Sequence, residues 1–171
     1  MRKKIERNYL EINSLADLNS LSSSPDGYSV ELVSPSNFQI NKFFYKNVGK
    51  KHKWTDRLIW SEQDWIKYSS NEKVETYILK VKEDMAGYFE LNTDLKLQEI
   101  EIAYFGLLEE YHNQKLGGYL LSFAIKKSFE KKNIKRVWVH TCTLDHKNAL
   151  KNYLARGMKI FKSEIQKKEI A

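Results

Sequence analysis

An apolar strand, a glycine-bearing turn and an amphipathic helix follow one another in this chain, and their order constrains the fold more than any other feature. The strand covers residues 100–108, and the turn covers residues 112–118, which read HNQKLGG. The helix after the turn places Leu116, Leu120 and Phe123 on one stripe. A turn that opens a helix presents free backbone N–H groups at the positive end of the helix dipole. The sequence therefore predicts an anion site here, of the kind that holds the pyrophosphate of a cofactor.

The two glycines do not identify the ligand by themselves, because paired glycines also allow a helix to pack closely on a strand. No Gly-Lys-Ser or Gly-Lys-Thr follows the turn, and the three-glycine dinucleotide fingerprint is absent. The interpretation therefore depends on the residues around the turn.

Two segments near the C-terminus resemble the GNAT superfamily of N-acetyltransferases. The phosphate motif of that family, Gln/Arg-x-x-Gly-x-Gly/Ala, aligns with His112, Lys115 and Gly117, so the first two positions differ and the last is kept. The closing segment of the family, Asn-x-x-Ala-x-x-x-Tyr-x-x-x-Gly-Phe, keeps its middle three residues and aligns with His146, Ala149, Tyr153, Gly157 and Met158. Residues 138–146 are similar to one bacterial subgroup of the family, and the acceptor of that subgroup does not follow from these motifs.

The resemblance implies an α/β (α+β) fold with a mixed, mostly antiparallel central sheet flanked by helices. It also implies transfer of an acetyl group from acetyl-CoA, a cosubstrate, to the primary amine of a small molecule or peptide by direct attack. Main-chain N–H groups around Phe105 and Leu107 polarise the thioester carbonyl, and His146 contacts the pantetheine arm or caps a helix that begins at Asp145. The implied cofactor contacts are Phe105, Leu107, Asn113, Gln114, Lys115, Leu116, Gly117, Gly118 and His146.

Two residues are predicted to be catalytic. By resemblance, the Tyr153 hydroxyl protonates the leaving thiolate; the alternative is a tyrosine that only packs its ring. Glu101 occupies the strand position at which several family members carry a catalytic glutamate, and its apolar neighbours favour a raised pKa that suits a general base. An outward-facing or ion-paired Glu101 is the alternative. In that case the general base is a water chain, Glu90 or, less favoured, His140. Glu90 is also a candidate ligand for the acceptor amine.

The acceptor site is predicted between the first two helices, in residues 51–60. Trp54 and Trp60 would form an aromatic wall, and Asp56 would receive an ammonium group, so a cationic amine is favoured. The alternative is a loop whose tryptophans close the edge of the core. Cys142 is interpreted as a small buried hydrophobe rather than as an acyl-carrying nucleophile.

Composition sets outer limits on the function. A chain of 171 residues with 42% hydrophobic content suits a single domain, with residues 1–27 as an N-terminal strand and surface connection. No signal peptide and no membrane-spanning segment are expected, and one cysteine favours a cytoplasmic location. Four scattered histidines and that cysteine predict no metal site. A monomer or a homodimer is expected.

The net charge of +7 is interpreted as a solvated lysine-rich surface that helps to attract an anionic cofactor, so neither a nucleic-acid nor a membrane partner is expected. Two other functions remain open. One is a catalytically inactive CoA-binding regulatory or interaction domain, which the changes at His112 and Lys115 favour. The other is a nucleic-acid-binding module, which the charge favours.

Hydrophobic patterning predicts the element order. An edge strand covers residues 5–12 and a second strand residues 28–33; a helix runs from Pro35 towards Val48, and a capped helix from Ser61 to Ser70. A meander follows, with strands at residues 74–81, 85–91 and 99–107. The helix after the turn, the strand 136–141, a helix and a last strand complete the chain, which gives antiparallel strands followed by a parallel crossover.

Overall fold

The computed structural model describes residues 1–21 and 26–169. Part of the predicted surface connection, residues 22–25, lies outside the described residues. The strands are β1 (Arg2–Ile12), β2 (Tyr28–Leu32), β3 (Val74–Val81), β4 (Asp84–Asp94), β5 (Glu99–Leu107), β6 (Arg136–Cys142) and β7 (Lys159–Glu169). The helices are α1 (Phe38–Gly49), α2 (Glu62–Ser69), α3 (Leu116–Glu130) and α4 (Ala149–Ala155). None of the helices in this described part has the length and apolar composition that crossing a bilayer requires.

All seven strands form one sheet in the order β2-β3-β4-β5-β6-β1-β7. Every neighbouring pair is antiparallel except β5 and β6, which are parallel and are connected through α3. This arrangement confirms the predicted mixed, mostly antiparallel sheet flanked by helices.

The prediction of β1 as an edge strand was wrong. β1 pairs with β6 on one side and with β7 on the other, and β7 forms the edge. The alternating burial of Asn8, Leu10 and Ile12 shows only that one face of this part of β1 is covered. Pairing partners far along the chain cannot be read from that alternation, because it reports the faces of a strand and not its edges.

The helices cover both faces of the sheet. The larger core lies under α3 and α4 and contains Leu120 and Tyr153 together with Leu79 and Phe89 of the strands. The smaller core lies under α1 and contains Phe44, Val48, Ile78 and Tyr88. Ile78 lies between Tyr77 and Leu79, both of which belong to the larger core, so the two cores lie on opposite faces.

Local capping sets the helix starts. α2 begins as predicted, because the Ser61 hydroxyl accepts the Asp64 N–H at 3.2 Å and the Asp64 carboxylate accepts the Ser61 N–H at 2.8 Å. α1 begins later than predicted, after Asn37, whose side chain accepts the Gln39 N–H. α4 begins at Ala149 rather than at Asp145, because the Asp145 carboxylate is held by the end of β6 and accepts the Cys142 N–H at 3.0 Å.

The two central strands diverge, and this opens the sheet. β5 and β6 pair only from Glu99 to Glu101 and from Arg136 to Trp138. Beyond Glu101, β5 stays paired with β4 and has no strand partner on its other side. Half of the backbone polar groups of a strand point to each side, so residues 102–107 carry unpaired groups towards the gap.

Candidate active site

A cavity of about 620 Å³ fills the gap between the diverging strands. Its walls are residues 102–107 of β5, the end of β6, the turn before α3, the first residues of α3, α4 and the segment 52–54 with Asp56. This volume lies in the range of ligand pockets. The predicted residues that line the cavity are Trp54, Asp56, Phe105, Leu107, Asn113, Lys115, Leu116, Gly117, Gly118, His146 and Tyr153. Gln114, Glu90, Glu101 and Trp60 are not among the lining residues.

The turn before α3 has the backbone shape that an anion site requires. Lys115, the residue before α3, is left-handed with φ 60° and ψ 15°, and Asn113 also has a positive φ of 62°. No side chain caps the start of α3, so its first N–H groups have no partner from the helix or from a capping residue. Lys115 therefore adopts the conformation for which the family motif uses glycine.

The two glycines of the turn have different surroundings. A Cβ atom on Gly117 would lie 3.5 Å from Asn152 Nδ2, an ordinary contact at the cavity wall. A Cβ atom on Gly118 would lie 2.5 Å from Arg156 Nη1 and 2.5 Å from Leu21 Cδ1, so the ends of those two side chains would have to move to accommodate it. The main chain at Gly117 is open to the cavity, and together with the uncapped N–H groups it fits a pyrophosphate.

Tyr153 of α4 is almost buried, with 6% of its surface exposed. Its ring lies 6.2 Å from the Phe105 ring, centroid to centroid, in an edge-to-face arrangement across the cavity wall. Within residues 1–21 and 26–169, its hydroxyl makes no hydrogen bond to protein. Burial raises its pKa, so the phenol stays protonated at neutral pH. The ring packs, and the hydroxyl remains available as a proton donor.

His112 and His146 replace the glutamine or arginine and the asparagine of the family motifs, and the structure brings them together. Their ring centroids are 4.8 Å apart, with planes at 73°. His112 Nε2–H donates to the Leu107 carbonyl at 3.0 Å, which ties the turn to the end of β5. The Asn148 N–H donates to His146 Nδ1 at 3.1 Å. Burial lowers the pKa of His146, as do His112 and His52.

Glu101 lies at the closed end of the gap, as the last residue of β5 that pairs with β6. Its side chain is half-buried and does not line the cavity. Burial raises its pKa, Arg57 lowers it, and the net direction is upward. An upward shift of the Glu101 pKa is also what its apolar neighbours in the sequence predict.

Glu90 is buried in an ion pair, and the structure does not bring it to the cavity. Its carboxylate accepts hydrogen bonds from Arg57 Nη1 at 2.9 Å, from the Tyr68 hydroxyl at 2.8 Å and from Asn41 Nδ2 at 2.8 Å. The side chains of Arg57 and Glu90 are 7% and 0% exposed. With its oxygens occupied in this way, Glu90 holds structure together and has no open position for an acceptor amine.

Sequence reasoning did not find Arg57, which anchors the predicted acceptor segment. Its guanidinium carbon lies within 6 Å of five aromatic rings, a distance at which cation–π attraction is favourable. These rings are Tyr68 (4.0 Å), Tyr104 (4.3 Å), Trp60 (4.7 Å), Tyr45 (5.7 Å) and Trp65 (5.8 Å). The available signal was a single arginine among closely spaced tryptophans and tyrosines.

The two tryptophans of the acceptor segment have different positions. Trp54 lines the cavity, stacks edge-on against Tyr104 at 4.8 Å and donates from Nε1 to Asp145 Oδ1 at 3.3 Å. Trp60 packs against Trp65 at 4.9 Å and around Arg57, away from the cavity. The aromatic wall therefore consists of Trp54, and Trp60 has the packing role that was the alternative.

His140 and Cys142 of β6 also line the cavity. Burial lowers the pKa of His140, and its ring lies 5.7 Å from the Tyr9 ring. Burial raises the pKa of the Cys142 thiol, which disfavours the thiolate that nucleophilic catalysis needs. Cys142 is half-buried rather than fully buried. In the described part of the chain, no group of three or more His, Cys, Asp or Glu side chains is placed to hold a metal ion.

Solved structures with this fold include three acetyltransferases. A GCN5-related N-acetyltransferase from Kribbella flavida is 14% identical, with a TM-score of 0.67; the match covers 96% of this chain and 58% of that one. An aminoglycoside acetyltransferase from an uncultured soil metagenomic sample is 12% identical, with a TM-score of 0.63 and coverage of 77% and 88%. The ribosomal-protein-S18-alanine N-acetyltransferase of Escherichia coli is 17% identical, with a TM-score of 0.57 and coverage of 76% and 76%.

The chain thus spans little more than half the length of the Kribbella relative. No curated protein sequence matches it. The sequence model of the acetyltransferase (GNAT) family matches residues 35–158. This range includes the predicted acceptor segment, the diverging strands β5 and β6, the turn before α3 and Tyr153. On this match and this fold, the chain belongs to the GNAT family of acetyltransferases.

Proposed function

We propose that this protein transfers an acetyl group from acetyl-CoA to the primary amine of a small molecule or peptide by direct attack of the amine. One observation carries the proposal: a single cavity joins the uncapped start of α3, the unpaired side of β5 and the Tyr153 hydroxyl. The three features supply an anion site for the pyrophosphate, main-chain groups that can form hydrogen bonds with the pantetheine arm, and a proton donor for the leaving thiolate. Direct attack needs no nucleophile on the protein.

The main chain would do most of the binding. The N–H groups of residues 116–118 are free to hold the pyrophosphate, as the family resemblance implies. The unpaired side of β5, from Phe105 to Leu107, can align the pantetheine arm and donate to the thioester oxygen. Acetyl-CoA supplies the activated acetyl group, and the protein supplies position and proton transfer.

Two side chains would move the protons. Glu101 receives the proton of the attacking ammonium through at least one water molecule, since its carboxylate lies beside the cavity and not in its wall. The raised pKa makes Glu101 a stronger base than an exposed carboxylate. Tyr153 donates its hydroxyl proton to the departing thiolate. Trp54 and Asp56, which also line the cavity, would contact the acceptor.

The relatives support an amine acceptor. The structures similar to this one include an enzyme named for aminoglycosides and another named for the alanine of a ribosomal protein. Small-molecule and peptide amines are therefore both in the range of the fold. A cytoplasmic location, a monomeric or dimeric state and the lack of nucleic-acid and membrane partners stay predictions.

Thermal-shift titration with acetyl-CoA, CoA and an adenine nucleotide at fixed salt tests the cofactor. Ligand at a hundred times its Kd stabilises the folded state by about 2.7 kcal/mol, so a rise in Tm selective for CoA is expected. The Gly117→Glu variant should lose this rise, because it adds a carboxylate to the anion site. Gly117→Ala is the matched control and should keep it, because the added Cβ makes only an ordinary contact.

Release of CoA in the presence of a panel of amines then tests acetyl transfer. Stabilisation by CoA without transfer to any amine would identify a non-enzymatic CoA-binding domain. Equal CoA stabilisation of the Gly117→Glu variant would place the phosphates elsewhere.

A further inference from the structure

A second cavity of about 440 Å³ lies beside the first and is formed by the end of α1, the segment after it and the end of β7. Lys53, Trp54 and Lys168 line both cavities. Thr55 faces the second cavity and Asp56 the first. A molecule that reaches the first cavity past Trp54 would therefore extend into the second.

Four lysines line this second cavity, which we call the lysine pocket: Lys46, Lys50, Lys53 and Lys168. Lys46 and Lys50 are four residues apart in the last turn of α1 and its extension, so their side chains share one face. Lys168 reaches across from β7, and its ammonium donates to the Lys53 carbonyl at 3.4 Å. The four lysines therefore come from three parts of the chain and line one cavity.

These positive charges are not neutralised by the surrounding protein. Among the ion pairs of the described residues, none includes Lys46, Lys50, Lys53 or Lys168. One carboxylate, Glu169, lines the pocket, and it pairs with Arg2 at 3.4 Å. Uncompensated charge of one sign at a concave surface attracts a ligand of the opposite sign.

We propose that the acceptor of the acetyl group carries an anionic group, a carboxylate or a phosphate, which the lysine pocket holds while the amine extends past Trp54 towards Asp56. This inference rests on the proposed acetyl transfer. It changes the expectation of a simple cationic acceptor, because Asp56 lines the first cavity, where the amine is expected, whereas four lysines line the second, whose one carboxylate is paired with Arg2.

A series of primary amines of similar chain length that differ in the group at the far end tests this inference. The probes are 4-aminobutyrate, 3-aminopropylphosphonate, the neutral 4-aminobutanamide and 1,4-diaminobutane. The expected result is a higher kcat/KM for the two anionic probes than for the amide, and the lowest value for the diamine. Comparison of the carboxylate with the phosphonate identifies the preferred anion. Because exposed charges are screened by salt, the preference should shrink as ionic strength rises.

The variant Lys46→Gln/Lys50→Gln should lower the ratio of kcat/KM for the anionic probes over the amide by about tenfold, which lies within the range for two exposed ion pairs. Lys132→Gln is the control, since Lys132 is exposed and follows the far end of α3. Titration of 4-aminobutyrate into the CoA complex measures acceptor binding without turnover. The double variant should weaken that binding and leave the affinity for CoA alone unchanged.

The possible results separate this inference from the proposed function. Transfer to all amines with no preference for an anion would overturn the inference and leave acetyl transfer standing. Loss of CoA affinity in the double variant would assign the lysines to the cofactor. Absence of transfer to any probe would contradict the proposed function. Binding of 4-aminobutyrate to the CoA complex would then test the lysine pocket independently of transfer.

Discussion

The two ends of the cavity are built in different ways. At the α3 end, the binding groups are main-chain N–H groups presented by a left-handed residue and an open glycine. At the proposed acceptor end, the segment around Trp54 is held by side chains, above all by the buried pair of Arg57 and Glu90 inside a ring of aromatics. One end depends on backbone shape and the other on the identity of particular residues.

This difference explains which parts of the family pattern can change. His112 and Lys115 depart from the phosphate motif, yet the turn keeps the backbone shape that the motif serves. The acceptor end has no such tolerance, because a buried charge that loses its partner is costly. We therefore expect substitutions at the acceptor end to have large effects on folding, and most side-chain changes at the turn to have small ones.

Arg57→Ala is expected to have the largest effect. It leaves the Glu90 carboxylate buried without its cation, which costs about 3–5 kcal/mol of folding free energy. At about 2–4 °C for each kcal/mol in a chain of this size, Tm should fall by roughly 6–20 °C. Calorimetry measures the fall. Arg2→Ala is the control, since the Arg2–Glu169 pair is 75% and 78% exposed and should leave Tm unchanged. A loss no larger than in the control would show that the acceptor segment does not depend on this pair.

Tyr153→Phe tests the proposed proton donor between the two ends. The phenyl ring keeps the packing against Phe105, and the proton donor is lost. General acid catalysis contributes at least about a hundredfold, so kcat should fall by about that factor while the Kd of acetyl-CoA stays within about twofold. Steady-state kinetics and calorimetric titration measure the two quantities. An unchanged kcat would leave Tyr153 with a packing role only.

Glu101→Gln is expected to lower activity and to raise stability. The base must be ionised, so kcat/KM of the wild-type protein should fall as pH decreases through the pKa of Glu101, which burial raises above the ordinary value for a glutamate. The variant should lose this acidic limb and about tenfold or more in kcat/KM. Its Tm should rise at neutral pH, because the folded state disfavours the ionised carboxylate that the wild-type protein must carry there. A profile of unchanged shape would point to a water chain or His140.

Much of the fold can be predicted from the sequence because it depends on local patterns. Strand β3 lies at residues 74–81 as predicted, and the Ser61 capping box starts α2. The place of β1 inside the sheet could not be found in this way, since its pairing with β7 joins residues that are 148 to 167 positions apart. Non-local pairing leaves no mark on the periodicity of a single strand.

The candidate site shows the same contrast between local features, which the sequence predicts, and non-local ones, which it does not. The anion turn is encoded within a few residues, and the structure places most of its predicted residues around the cavity. Glu90 and Arg57 are 33 residues apart, and neither residue alone indicates that the other neutralises it. The sequence alone therefore suggests Glu90 as an alternative base or as a ligand for the acceptor amine. The lysine pocket was missed for the same reason, because its charges come from α1 and from β7.

The smallest expected effect is that of Lys115→Gly. Its comparison with Lys115→Val tests whether backbone shape controls this end of the cavity. Lys115→Gly and Lys115→Val remove the same charge, but only glycine enters the left-handed region without strain, whereas a β-branched residue is excluded from it. The glycine variant should change folding free energy by less than about 1 kcal/mol, because relief of strain offsets the greater entropy of its unfolded chain. Its Kd for CoA should rise by less than about fivefold, the largest loss expected for one exposed charge. The valine variant should bind CoA far more weakly. If both lose affinity equally, the Lys115 charge controls this end of the cavity and the contrast between backbone and side-chain construction fails there.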